Sequence, residues 1–435
     1  MPSTRIIPQL RGVLTRLTPQ RLARDSSGAV AIMAALAFPA LIGGMALGTE
    51  VGLWYLNQRK LQQAADIAAY AAAVQLRAGR TQQEMWTAAA AVAERSGMRA
   101  GDQLVPRHPP ASGARQGEST AVEITLTRQQ TRFFTLIFDT EPVAISARAV
   151  AGLLASGNAC LLALDPTANR AIQVSGSANV TFDACDIATN SSAADAFHMQ
   201  GGAVRLTTGC IHSVGGATTT TALTLTSCAM PNVNAPATRD PYADVAQPAV
   251  SGSCQSGNIG QNNQSTTITP QFDHPSGLRA TRFCGGLSPN GTVTFEPGLY
   301  IIDGGEFSLN AQTTVVGDGV VFLLTNGARM RFNGGATLNL TAPDAGPLAG
   351  LLFFGSRSDV GVQHVINGTA TSQLNGAVYL PSGDLDYSGN FSGASGCTQV
   401  ISRRITFIGN SSLSVNCAAA GTRPIPAAQT IALLE

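Results

Sequence analysis

The chain has almost no lysine: Lys60 is the only one among 435 residues, and it lies beside the long apolar run described below. Schiff-base chemistry and a phosphate-binding loop ending in Lys are therefore excluded from everything beyond that run. Charged residues make up only 12% and the formal net charge is +1, so no basic surface argues for nucleic acid as a partner. The five histidines (His108, His198, His212, His274, His364) fall in no H-x-x-x-H or H-E-x-x-H spacing, which leaves a metal centre without a ligand set. A G-x-S-x-G nucleophile elbow and a C-x-x-C pair are also missing. The Gly-Asp pairs in VGDGV and IDGGEF are isolated rather than tandem, so they do not make a calcium-binding repeat. No catalytic residue, metal or cofactor is assigned, and the chain is expected not to be an enzyme.

What is present begins with Ser26–Thr49, 24 consecutive residues without a charge. As a helix this run reaches ~36 Å, enough to cross a ~30 Å hydrocarbon core. Pro39 sits inside it, where a membrane helix tolerates proline. Residues 1–25 carry Arg5, Arg11, Arg16, Arg21 and Arg24 against Asp25, which by the positive-inside rule keeps this basic arm in the cytoplasm. A cleaved signal peptide ending near Ala46-Leu47-Gly48 is the alternative, but its apolar core would run only ~7–15 residues. The expected address is an inner membrane crossed once, with the C-terminal part periplasmic or extracellular.

Residues 50–97 read as membrane-proximal helices. Trp54 and Tyr55 fall where an interfacial aromatic belt would sit. Leu53, Leu56, Leu61, Ala64, Ala68 and Ala71 then recur at helical spacing as a small-residue stripe. That stripe suits either the chain's own next helix or a helix of another protein. Thr81 and Glu84 make a capping box for a second helix over Thr81–Ser96. Residues 98–157 read as a linker followed by a small α+β module. Residues 98–118 are polar and proline-bearing, and Val122–Leu126 and Val143–Ala149 alternate as strands. Phe133, Phe134, Leu136, Ile137 and Phe138 form an apolar cluster, expected to be a small core.

From residue 158 to 435 the grammar is different. Short strand-like pieces follow small-residue turns repeatedly, as in SGSANVTF, NGTVTF, NGGATLNL and GNSSLSV. Marker residues Gly176, Gly201, Gly291, Asn310, Gly334, Gly368, Gly389 and Gly409 are mostly 19 to 25 apart, with a gap at 201–291 and a stretch of 34 after Gly334. A degenerate period of ~20–25 residues indicates a β-solenoid, here expected to be a right-handed parallel β-helix, in which stacking of coils makes the core. A β-sandwich is the competing fold and would want turns every ~8–12 residues. Residues 229–275, rich in proline, read as an irregular insertion.

All eight cysteines (Cys160, Cys185, Cys210, Cys228, Cys254, Cys284, Cys397, Cys417) lie in this region, an even count that fits disulfides in an oxidising compartment. Pairing of sequential neighbours, 160–185, 210–228, 254–284 and 397–417, closes short local loops at ~3 kcal/mol each.

The N-terminal segment 24–76 resembles the membrane module of TadG-like proteins of the TadE/TadG group, associated with Flp (Tad) pilus assembly. The features that carry the resemblance are Gly28, Pro39, Glu50 at the exit of the run, and Gln62, Ala64, Ala65 and Asp66 in the L-Q-x-A-A-D-x-A-A stretch. Glu50 stands where many relatives carry Asp. PGLYIIDGG (297–305), GDGVVFLL (317–324), TAPDAGPLAGLLFF (341–354) and LNGAVYLPSGDLDYSG (374–389) resemble the glycine-rich C-terminal region of some TadG-related proteins. The D-x-S-x-S motif of a von Willebrand A-type domain is missing. The resemblance implies a membrane-anchored accessory of pilus assembly whose partners are other assembly components, and it brings no catalytic residues.

β-Solenoids also host carbohydrate-cleaving sites, which need clustered carboxylates. The candidates are Asp183 with Asp186 and Asp384 with Asp386, the latter i, i+2 on one strand face. Asp384 follows Pro381-Ser382-Gly383, and turn or surface roles are expected for all four acids. Two alternatives therefore stand beside the pilus reading. One is a membrane-tethered protein that binds or cleaves envelope glycan, and the other is a released surface adhesin.

Overall fold

An alanine- and leucine-rich segment with no β-branched run carries one helix, α1, from Ser26 to Arg77, 52 residues or about 78 Å of axis, which continues through Pro39. The computed structural model describes residues 26–154, 157–177, 179–183, 185–368, 372–390 apart from 390, 391–392, 397–408, 411–414 and 420–435. The basic arm 1–25, Cys417 and Gly409 lie outside the described residues, and with Cys417 the expected pair 397–417. The chain forms two units: Arg80–Gly152 with α1 and residues 432–435, and Leu153–Ile431. The second unit is thus an insertion in the first, which the chain leaves at Gly152 and rejoins at Ala432.

In the first unit the outer part of α1 presents its side chains to the surroundings, from Val30 (65% exposed) through Met45 (73%). From Leu61 onward one face is buried: Leu61, Ala64, Ala65, Ala68, Ala69, Ala72 and Ala73 are fully enclosed. The small-residue stripe is thus filled from within the chain at Leu61, Ala64 and Ala68, whereas Leu53 and Leu56 are exposed and Ala71 is only partly covered. Three amides fix the helix along the sheet: Asn57 Nδ2 donates to Gln130 Oε1 (3.0 Å), and Gln58 and Gln62 donate to the carbonyls of Ser146 (2.6 Å) and Arg148 (2.9 Å). Helix α2, Gln82–Arg95, starts at the expected capping box and buries Met85, Ala89 and Ala93.

The sheet of this unit runs β1 (Gln103–Arg107), β2 (Ala121–Gln130), β3 (Val143–Leu154) and then the C-terminal strand Thr430–Leu433. Strand β1 lies inside the stretch expected to be a linker. It pairs antiparallel with β2, Val105 opposite Thr125. Beneath it, Arg128 and Asp102 form an ion pair at 2.6 Å with both side chains 4% exposed.

The second unit is a β-solenoid of parallel ladders, with about ten coils. Each coil supplies up to three short strands, as in Val320–Thr325, Arg329–Phe332 and Thr337–Thr341. Inside, aromatic rings stack from coil to coil: Tyr300 on Phe322 at 5.6 Å and Phe322 on Phe353 at 5.4 Å. One wall is buried on both sides, which explains why its strands read as unbroken apolar runs such as VVFLLT and LLFFG. Its outer side is the second apolar cluster, containing Leu299, Ile301, Leu323, Phe354 and Tyr379.

Winding order differs from chain order. Residues 157–233 wind through coils that begin mid-stack, and residues 254–414 wind through the remainder. The seam is Thr398–Ile408 lying parallel to the first two solenoid strands, Val400 opposite Leu161 and Ile405 opposite Ile172. Continuity holds on the third wall too, where Ser411–Ser414 pairs with Asn179–Asp183. The irregular insertion therefore shrinks. Residues 232–233, 254–255, 258–259, 265–268 and 272–273 are strands, and the longest stretch without strand in it is 234–253. This strap runs across the coils. Thr238 exchanges hydrogen bonds with Asn190 (2.8 and 2.9 Å), Asp240 accepts from Tyr379 Oη (2.9 Å), and Gln247 accepts from the Arg357 amide (2.9 Å). Tyr242, fully buried, anchors it against Tyr379 at 5.5 Å. The gap in marker spacing at 201–291 is where the chain turns from one end of the stack to the other.

Among the described residues, three disulfides with both partners placed join neighbouring coils: Cys160–Cys185, Cys210–Cys228 and Cys254–Cys284.

Candidate membrane-interface site

Of the sequence-selected carboxylates, Asp384, Asp386 and Asp186 each take up neighbouring donors. Asp384 is engaged by Arg403 Nη2 at 2.5 Å, and Arg403 also reaches Asp165 at 3.4 Å. The turn expected at Pro381-Ser382-Gly383 is instead a register irregularity within one strand, Gln373–Gly389, which continues past the corner. Asp386 is half-buried; burial pushes its carboxyl above the usual range, opposed by hydrogen bonds from Thr406 and Gln363. Asp186 accepts the Cys210 amide (2.7 Å) and lies 3.2 Å from His212 Nε2, whose other nitrogen faces Asn232 at 3.3 Å. The side chain of Asp183 lies outside the described residues. Among the described residues no group of three His, Cys, Asp or Glu is placed to hold a metal ion. A shallow cleft of about 230 Å³ on the third wall is lined by Asp318, Asn339, Thr341, Gln373 and Asn375 among others. Its lining includes one carboxylate and no aromatic ring on which a sugar could stack.

The organised one-off geometry lies in the first unit, at the end of the exposed apolar length of α1. From Val30 to Glu50 the helix rises about 30 Å, the thickness of a hydrocarbon core. Glu50 is fully enclosed even so. Its carboxylate accepts the backbone N–H groups of Phe133 (2.7 Å), Phe134 (3.2 Å) and Thr135 (2.8 Å) and the Thr135 hydroxyl (3.0 Å). These are the unpaired donors that open a short 3₁₀ turn, Thr135–Ile137, where an anionic group is favoured. A loop from the β2–β3 connection is thereby tied to the helix at one carboxylate.

The loop's apolar residues do not form the small core expected of them. Phe133 is 58% exposed, Ile137 87% and Phe138 83%, while the backbone of the loop faces Glu50. The physical reason is that the four donors consume Glu50 from the backbone side and leave the side chains turned outward. Arg132 braces the same loop: it donates to the Glu141 carbonyl (2.7 Å), pairs with Asp139 (2.8 Å), and its guanidinium lies 5.9 Å from the Trp54 ring centroid. One turn around, Arg59 covers Tyr55 at 5.2 Å. Among the motif residues, Glu50 and Gln62 thus hold other elements of the unit and Ala64 and Ala65 are buried. Asp66 takes a hydrogen bond from Gln62 (2.7 Å), and Pro39 lies within the exposed length of the helix. Gly28 is in the first turns of α1.

Residues 28–75 match the family model described as Putative Flp pilus-assembly TadE/G-like. The match covers the exposed apolar length of α1, Glu50 and the buried alanine stripe, so the N-terminal resemblance to the TadE/TadG group is shown. No curated protein and no solved structure matches the chain.

Proposed function

We propose that the protein is a membrane-anchored, non-enzymatic accessory of Flp pilus assembly, with its solenoid held outside the cytoplasm as a contact domain for other assembly components. The observation that carries this reading is the match of residues 28–75 to a pilus-assembly family model. It coincides with the one long apolar helix of the described residues. Three coil-to-coil disulfides support an oxidising compartment for the solenoid, and with it a cytoplasmic N-terminus behind the basic arm. The chemistry of the solenoid supports a surface role: Asp384 is taken up in an ion pair and Asp186 in a backbone contact.

Electron microscopy of surface filaments tests the reading, comparing the parent strain, a deletion of this gene, and the deletion complemented with the full chain. Filaments should be lost in the deletion and return on complementation. Unchanged filament number in the deletion would overturn the assembly role.

A further inference from the structure

We infer that the loop Phe133–Phe138 is a second membrane contact, inserting Ile137 and the neighbouring phenylalanines into the interfacial layer of the same bilayer leaflet from which α1 emerges. The inference rests on the anchor reading of α1 and adds to it a lipid-facing element from a distant part of the sequence. Five of the loop's six residues are apolar: Phe133, Phe134, Leu136, Ile137 and Phe138. All five are at least about half exposed, and Ile137 and Phe138 are the most exposed large apolar side chains described. A water-facing patch of this kind in one short loop calls for a covering phase.

Three observations identify that phase as lipid. First, the loop is bonded to Glu50, the residue at which the exposed apolar length of α1 reaches the thickness of a hydrocarbon core. The patch is therefore continuous in level with the helix surface that the bilayer covers. Second, the aromatic and cationic groups around it have interfacial chemistry: Trp54 beneath Arg132 and Tyr55 beneath Arg59 place amphipathic rings and guanidinium groups at that level. Third, the loop carries its charges, Arg132 and Asp139, paired with each other at its two flanks, so its tip is free of charge. Glu50 itself, enclosed and satisfied by four donors, brings no unpaired charge to the boundary. It acts as a positioning residue that fixes the depth of the loop.

Photocrosslinking of the full chain in vesicles of phosphatidylethanolamine and phosphatidylglycerol tests this. A p-benzoylphenylalanine is placed singly at Met45, Ile137, Phe138 and Val360, the last an exposed solenoid residue (71%), and adducts are identified by mass spectrometry. Lipid adducts at Met45, Ile137 and Phe138, and none at Val360, are expected. Lipid adducts at Met45 without any at Ile137 or Phe138 would overturn the loop contact and leave the anchor intact. Adducts from Ile137 and Phe138 to protein alone would overturn it in favour of a second copy of the chain. Absence of lipid adducts at Met45 would overturn the anchor reading, and this inference with it. Substituting Glu50→Gln should then lower the lipid adduct yield at Ile137 relative to Met45; an unchanged ratio would remove Glu50 from its positioning role.

Discussion

The two units reach order by opposite means. In the membrane-proximal unit, single polar groups act once. Glu50 holds a loop on four donors, and Arg128 with Asp102 forms a buried ion pair. In the solenoid the same solution is repeated: coil on coil, an aromatic interior, and disulfides between neighbours. The difference teaches where individual residues are decisive. Where the contact is singular, losing one partner leaves a buried group stranded; where it is repeated, neighbouring coils share the cost. The family match falls wholly on the first kind of architecture.

The comparison can be broken most severely at the ion pair. Asp102→Ala leaves the Arg128 guanidinium enclosed without its carboxylate, a loss of ~3–5 kcal/mol from the first unit. Both tryptophans, Trp54 and Trp86, lie in that unit, so its unfolding is followed by their emission, while amide hydrogen exchange of Val320–Thr325 follows the solenoid. Emission should shift to lower denaturant and the exchange protection of Val320–Thr325 should stay. The wild-type pair also carries a pH signature. Burial raises the Asp102 carboxyl, but hydrogen bonds from Arg128 and Arg99 and their charge outweigh it, so its pKa is below the ordinary value. A depressed folded pKa contributes stability above the unfolded value of ~3.9, lost as pH falls through the folded one. The emission transition should weaken on acidification in wild type and lose that component in Asp102→Asn.

The matching break in the solenoid is Tyr242→Ala. Tyr242 is a fully buried ring that pins the strap to the wall, and its removal should cost ~3–5 kcal/mol. Here the exchange protection of Val320–Thr325 should fall and the tryptophan transition should not move. Equal movement of both would mean the units unfold together, and the contrast between them would fail. A smaller effect is expected from the paired substitution of Cys254 and Cys284 by serine. This bond closes 30 residues between the first two coils of one end, so about 3 kcal/mol is at stake in the chain-entropy model. Because that coil has a neighbour on one side only, hydrogen exchange should accelerate in Ser265–Ile268 and leave Val320–Thr325, deep in the stack, protected.

Much of this was legible in the sequence, for reasons that are local. The uncharged run, the alanine stripe and the Thr81–Glu84 box each rest on residues within a few turns of one another; the run and the box form as their spacing implies, and the stripe is buried at Leu61, Ala64 and Ala68. The coil grammar was legible because every coil repeats it. Two features were not. The seam joins Thr398–Ile408 to residues 159–175, a pairing between segments more than 200 residues apart in sequence that nothing in either strand encodes. The run FFTLIF reads as a core because apolar side chains usually face one; only the backbone donors on Glu50 reveal that they face outward. Within the strap, residue 242 could be singled out only as a tyrosine in a proline-rich stretch.

The smallest expected effect sharpens the contrast from the side of local order. Thr81 caps α2, its hydroxyl accepting the Glu84 amide at 3.4 Å while Glu84 returns to the Thr81 amide at 2.8 Å. Thr81→Ala should cost ~1 kcal/mol. Because Met85, Ala89 and Ala93 hold α2 in place by burial, the helix should persist and fray only at its first turn. Amide exchange of Gln82 to Met85 should therefore rise in this variant while that of Ala89 to Ala93 stays near wild type. Exchange rising along the whole helix would mean that the cap, and not the packed face, holds it, and the first unit would then depend on single polar contacts even more than Glu50 and Asp102 imply.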